Sequence, residues 1–121
     1  MSLELDVPAE LRSAVELTLE RAGIESGHVS VELVGAERIR GLNRERRGID
    51  AATDVLAFPV DGPGATAGPR ELGDVVICPA EAADLREAAI HGVLHLCGYD
   101  HERDDGEMLA LQDRIVAALD A

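Results

Sequence analysis

A glycine-broken run of histidines, His91-Gly-Val-Leu-His95-Leu-Cys-Gly-Tyr-Asp-His101, constrains this chain more than any other feature. Three of the four histidines fall within eleven residues. His91 and His95 are four apart, which on a helix sets two imidazoles on one face, one turn apart. Gly98 follows at once, and glycine there marks a helix C-terminus in a left-handed conformation. The chain can then turn and return His101 towards the other two. Three imidazoles converging on one point, with the fourth position open, are the ligand set of a catalytic zinc site. Neutral nitrogen ligands hold a borderline-soft divalent ion and leave it its full charge for Lewis-acid work. His28, isolated between Gly27 and Val29 at the start of an expected strand, reads as structural.

At 121 residues the chain is expected to form one domain over 1–121, with a core of Leu, Val, Ile and Ala. Phe58 and Tyr99 are the sole Phe, Tyr or Trp residues. No apolar run approaches the roughly 20 residues that span a bilayer. The acidic N-terminal stretch does not read as a secretory signal, so a cytoplasmic location is expected. Cys78 and Cys97 are not at metal-motif spacing and read as small buried hydrophobes. Cys97, about 200° round the helix from His95, should point away from the metal.

The formal net charge is −13, and every basic residue is arginine. Bulk charge argues against general nucleic-acid binding. The distribution differs: Arg38, Arg40, Arg44, Arg46 and Arg47 place five of eleven arginines within ten residues. Arg40, Arg44 and Arg47 share a helical face. That face is either simply solvated or a phosphate-contacting patch on an acidic body.

The pattern along the chain predicts a strand over 3–7, a helix opened by Pro8 and ending near Gly23, and a strand over 28–34 from its period-2 valines. A helix follows from Ala36 to about Arg47, with Ile39 and Leu42 inward. Strands over 55–60 and 72–78 should pair as a hairpin, with a Gly/Pro-rich tip at 61–71. A helix from Pro79 to Cys97 carries His91 and His95. Asp104 and Glu107 form a capping-box-like start to a last helix with the stripe Met108, Leu111, Ile115 and Leu119. The order β-α-β-α-β-β-α-α, with a right-handed crossover, gives an α+β fold: a single mixed four-stranded sheet with packed helices.

HGVLHLCGYDH at 91–101 resembles the zinc signature of the YbeY family of bacterial endoribonucleases, H-G-x-L-H-L-x-G-Y-D-H. LNRERRGIDAATDVLAFP at 42–59 and LGDVVIC at 72–78 are similar to two further blocks of that family, in the same order. Together they cover about a third of the chain. The resemblance implies a zincin-like metal-dependent hydrolase with one zinc per chain on His91, His95 and His101, and a catalytic Arg47. It implies single-stranded RNA or rRNA precursor as substrate, roles in 16S rRNA 3′-end maturation and ribosome quality control, and the small ribosomal subunit and its proteins as partners; separately, the chain is expected to be a monomer. Three positions depart from the family pattern. Arg46 stands where the family has an aromatic, on the Ile39–Leu42 stripe, and is expected to lay its stem along the core and snorkel. Ala57 replaces a serine. The segment between Cys78 and His91 is short.

RNA cleavage needs charge stabilisation on a phosphoryl oxygen, for which zinc and a bidentate Arg47 are suited. In H-E-x-x-H peptidases a glutamate base follows the first histidine; here that residue is Gly92, so a zinc peptidase is the weakest reading. A ribosome-assembly factor with structural zinc is the other rival, although structural sites are usually closed by four protein ligands. Asp100 either orients a ligand imidazole or caps the turn. Asp74 is a further candidate for the site's vicinity.

Overall fold

The computed structural model describes residues 3–61 and 70–120. Four strands, β1 (Leu3–Asp6), β2 (Gly27–Leu33), β3 (Val55–Pro59) and β4 (Glu71–Ile77), form one mixed sheet in the order β1-β2-β4-β3. β1 runs parallel to β2 and β2 to β4, while β3 pairs antiparallel with β4 as an edge strand. The described residues also form four α-helices, of which the first three pack on the sheet and the last packs on helices: α1 (Arg12–Arg21), entered through a 3-10 turn at Ala9–Leu11, α2 (Ala36–Arg47), α3 (Leu85–Leu96) and α4 (Glu107–Asp120). The architecture is the α+β fold with a single mixed four-stranded sheet expected from the sequence. Most of the hairpin tip read at 61–71 lies outside the described residues.

Residue alternation sets the layers. On β2, Val29 and Val31 are buried against Leu11, Val15 and Leu19 of the first helical layer and against Ala89, Val93 and Leu96 of α3. α4 covers α1 and α3 through Met108, Leu111 and Ile115, packed on Ala14, Ile90 and Leu94. The opposite face of the β3–β4 pair meets α2 through Ile39, Leu56, Val76 and Cys78. Burying these aliphatic side chains stabilises the fold by roughly 1.5–3 kcal/mol for each large one. Both cysteines are free and buried, and Cys97 faces the main core, away from the histidines. Burial pushes the Cys97 thiol up to about 11, so it is a packing residue and not a thiolate ligand.

Two local expectations are corrected. The histidine helix does not begin at Pro79. Residues 79–82 form one turn on the Cys78 carbonyl, and α3 starts at Leu85. Proline suits a first turn, but it offers no acceptor for the free N–H groups. The Asp84 carboxylate does, taking the Arg86 and Glu87 amides at 2.9 and 3.2 Å. Nor does Arg46 enter the α2 stripe. Asn43 takes the buried position beside Ile39, at 2% exposure, and donates from Nδ2 to the Ala51 carbonyl at 2.9 Å. Arg46 stays exposed, its guanidinium over the Phe58 ring.

Candidate metal centre and cavity

The end of α3 is built as the sequence predicts. Gly98 adopts φ +97°, the Tyr99 amide donates to the Leu94 carbonyl and the Gly98 amide to that of His95, both at 3.1 Å. This is the Schellman pairing. It turns the chain so that His101 faces His91 and His95. One ligand atom from each of the three lies within 4.8 Å of the others, and the ring centroids are 4.8, 5.1 and 5.5 Å apart.

All three imidazoles are half-buried. Burial, then the neighbouring His91, hold His95 below the ordinary histidine range, so it is neutral near pH 7 and offers a lone pair. His91 Nδ1 lies 2.8 Å from Gln112 Oε1. An N–H at Nδ1 donating to this amide oxygen leaves Nε2 for a metal, the outer support that metal-binding histidines usually have. Gln112 is itself buried, and its Nε2 lies 3.5 Å from Glu87 Oε1. The donor set therefore fits a borderline-soft divalent ion of the zinc type. Among the described residues the group of potential metal ligands is these three histidines, with no fourth.

The histidines open into a cavity of about 1160 Å³ that wraps round edge strand β3. Arg46 and Arg47 at the end of α2 line one side, and Glu87, Asp100, Glu102 and Gln112 line the other. Arg47 thus shares a cavity with the three histidines. The rest of the arginine run is dispersed: Arg40 is paired with Asp50 at 2.7 and 3.1 Å, and Arg38 and Arg44 do not line the cavity.

Gly92 explains the missing glutamate. A Cβ there would stand 2.5 Å from Val75 Cγ1 and 3.1 Å from Val55 Cγ2. α3 sits too close to the sheet at this position for any side chain, so a base following the first histidine is excluded by packing. Asp100 caps the turn, its Oδ1 accepting the Glu102 amide at 3.0 Å. Asp74 does not line the cavity. It pairs across from Phe58 while Val75 beside it meets α3, and strand alternation sends it to the other face. The sequence reading missed Gln112. Its signal was a polar residue four after Met108, inside an otherwise apolar stripe.

A family model described as Endoribonuclease YbeY matches residues 3–120. Proteins named Endoribonuclease YbeY are 40% identical in Persephonella marina, over 87% of this chain and 78% of that one, and 38% identical in Rubrobacter xylanophilus, over 98% of both. A relative of the same name from Anaeromyxobacter sp. is 47% identical over 77% of this chain, which spans 54% of that longer protein. The solution structure of TM1509 from Thermotoga maritima superimposes with a TM-score of 0.57 at 31% identity, covering 94% of this chain and 86% of that one.

Proposed function

This chain belongs to the YbeY endoribonuclease family, and on that premise we propose that it is a zinc-dependent, single-strand-specific endoribonuclease. Its setting is rRNA processing, with 16S rRNA 3′-end maturation and ribosome quality control as its roles. The observation that carries this reading is one cavity holding both the three converging imidazoles and the guanidinium of Arg47, which forms no salt bridge among the described residues. His91, His95 and His101 hold one zinc. When bound, it supplies Lewis-acid charge at the scissile phosphate and a water made nucleophilic at neutral pH.

The chain's own groups do the rest. Gln112 orients the His91 ring and fixes which nitrogen faces the site. Burial keeps His95 unprotonated. Arg47 grips the phosphate through two parallel N–H donors as negative charge develops on its oxygens. A peptidase reading finds no base at position 92, for the packing reason given above. A structural zinc would want a fourth protein ligand, and three donors favour the enzyme over an assembly factor.

The domain spans 1–121, acts as a monomer and works in the cytoplasm; no helix among the described residues is long and apolar enough to cross a membrane. A body at −13 repels RNA outside the arginine-rich end of α2. Small-subunit proteins, which are basic, therefore deliver the precursor, and the acidic surface attracts them.

The test is zinc-replete protein incubated with rRNA precursor, wild type against His95→Ala, with and without assembled 30S particles. Cleavage by wild type alone, improved by the particle and absent in the variant, supports the reading. Equal cleavage by both proteins overturns it.

A further inference from the structure

Arg46 shares the cavity wall with Arg47 but is held differently. Its Cζ lies over the Phe58 ring, 5.2 Å from the centroid, within the range of a cation–π contact. A cation held against a ring is restricted in position, while its N–H donors remain available to a further partner. Among the described residues, Arg12, Arg40, Arg86 and Arg103 each sit in a salt bridge with a carboxylate, and Arg46 and Arg47 do not.

Five acids also line the cavity, Asp54, Asp84, Glu87, Asp100 and Glu102, and four of them are engaged within the chain. Asp84 caps α3, Glu87 is within reach of Gln112, Asp100 holds the turn that carries His101, and Asp54 accepts the Val55 amide at 2.8 Å. A polyanion entering this cavity meets Asp84, Glu87, Asp100 and Glu102 along α3 and the turn after it, and Asp54 just before β3. It meets two uncommitted guanidiniums, one ring-mounted, along the α2–β3 side.

We propose that Arg46 is a second phosphate-binding residue. It holds a phosphate next to the scissile one while Arg47 acts at the scissile phosphate, so the RNA strand enters along the wall made by the end of α2 and strand β3. This rests on the endoribonuclease reading above.

The test uses zinc-loaded protein and a single-stranded RNA oligonucleotide that wild type cleaves at one bond. Binding is measured across a range of salt concentrations for wild type, Arg46→Gln and Arg46→Lys. It is measured again with a neutral methylphosphonate at each linkage adjoining the cleaved bond. Position 46 is exposed, so these substitutions leave the core untouched.

Losing one phosphate contact to a single strand flattens the slope of log affinity against log salt by about 0.7. Arg46→Gln should show that change with a several-fold weaker affinity, and the penalty should fall on KM more than on kcat. Arg46→Lys should keep most of the slope. At one of the two linkages the methylphosphonate should weaken wild type as much as Arg46→Gln does, and combining the two should cost no more than either alone.

An unchanged affinity in Arg46→Gln overturns the proposal. So does a lost affinity with an unchanged salt slope, which is the mark of base stacking on the guanidinium. A wild type that cleaves no RNA overturns the nuclease reading and this inference with it; a wild type that cleaves while Arg46→Gln behaves identically overturns this inference alone.

Discussion

His28 and His95 are the same side chain put to opposite uses. His28 stands on β2 between two acids, Nε2 2.8 Å from Asp6 Oδ2 and Nδ1 2.6 Å from Glu71 Oε2. The hydrogen bond to Asp6, then that to Glu71, raise its pKa, and Glu4 adjoins it in register on β1. The result is a clamp across three strands, with both ring nitrogens consumed. His95 meets two imidazoles and no carboxylate hydrogen bond, and burial holds it neutral. The same contrast separates Arg40, committed to Asp50, from Arg47, which lines the cavity and has no salt bridge among the described residues. Side chains that hold the fold together are given partners within the chain. His95 and Arg47 form no such pair with a carboxylate among the described residues.

Removing a ligand should break that contrast most severely. His95→Ala should lose zinc affinity on the order of 10³-fold, because a structural site's 10–16 kcal/mol divides into several kcal/mol for each ligand. His28→Gln should bind one zinc per chain like the wild type. Elemental analysis after gel filtration checks both, and equal retention by the two variants would dissolve the distinction.

Next in size are the arginines. Arg47→Ala should slow RNA cleavage on the order of 10²–10³-fold while melting and zinc content stay as in wild type. Lysine should rescue it poorly, since a point charge cannot reproduce the planar fork. Arg40→Ala should change the rate less than about twofold. A large loss of zinc or of melting temperature in Arg47→Ala would make that residue structural.

Gln112→Met keeps the volume and removes the amide oxygen that accepts from His91. Zinc affinity should fall by roughly 10–100-fold, the usual penalty for losing such support, with cleavage recovered at high zinc. An affinity equal to wild type would mean that the His91 ring is held by packing alone.

The smallest effect concerns stability against pH in metal-free protein. The raised pKa of His28 means that its contribution is complete below about 6.5 and is lost as pH rises through its folded value. The lowered pKa of His95 has the reverse sign: its contribution is present above about 6.5 and is lost as pH falls towards its folded value. His28→Gln should therefore cost about 0.2–1 kcal/mol near pH 6, a size set by its well-exposed acid partners, and less at pH 9. Thermal melts at the two pH values decide it. A penalty that grows with pH would contradict the clamp.

What the residues announced in advance was local. Two histidines four apart need only a helix, and Gly98 needs only its positive φ to close the turn, so the convergence of the three histidines was legible before any fold was known. Strand alternation and the α4 stripe were legible for the same reason: they are periodicities of the chain itself. The start of α3 lies at Leu85 and not at Pro79 because the Asp84 carboxylate accepts from the free amides of the first turn, which proline cannot do.

The tertiary structure decided everything that joins distant parts. Gln112 meets His91 across 21 residues, and Glu71 meets His28 across 43. Arg46 finds Phe58, and Gly92 finds Val75, because α2 and α3 pack on opposite sides of the β3–β4 hairpin. Sequence spacing governs neighbours within a turn or two of one element. Which side chains are given partners, and which are left open to a ligand, is set by how those elements are laid against one another.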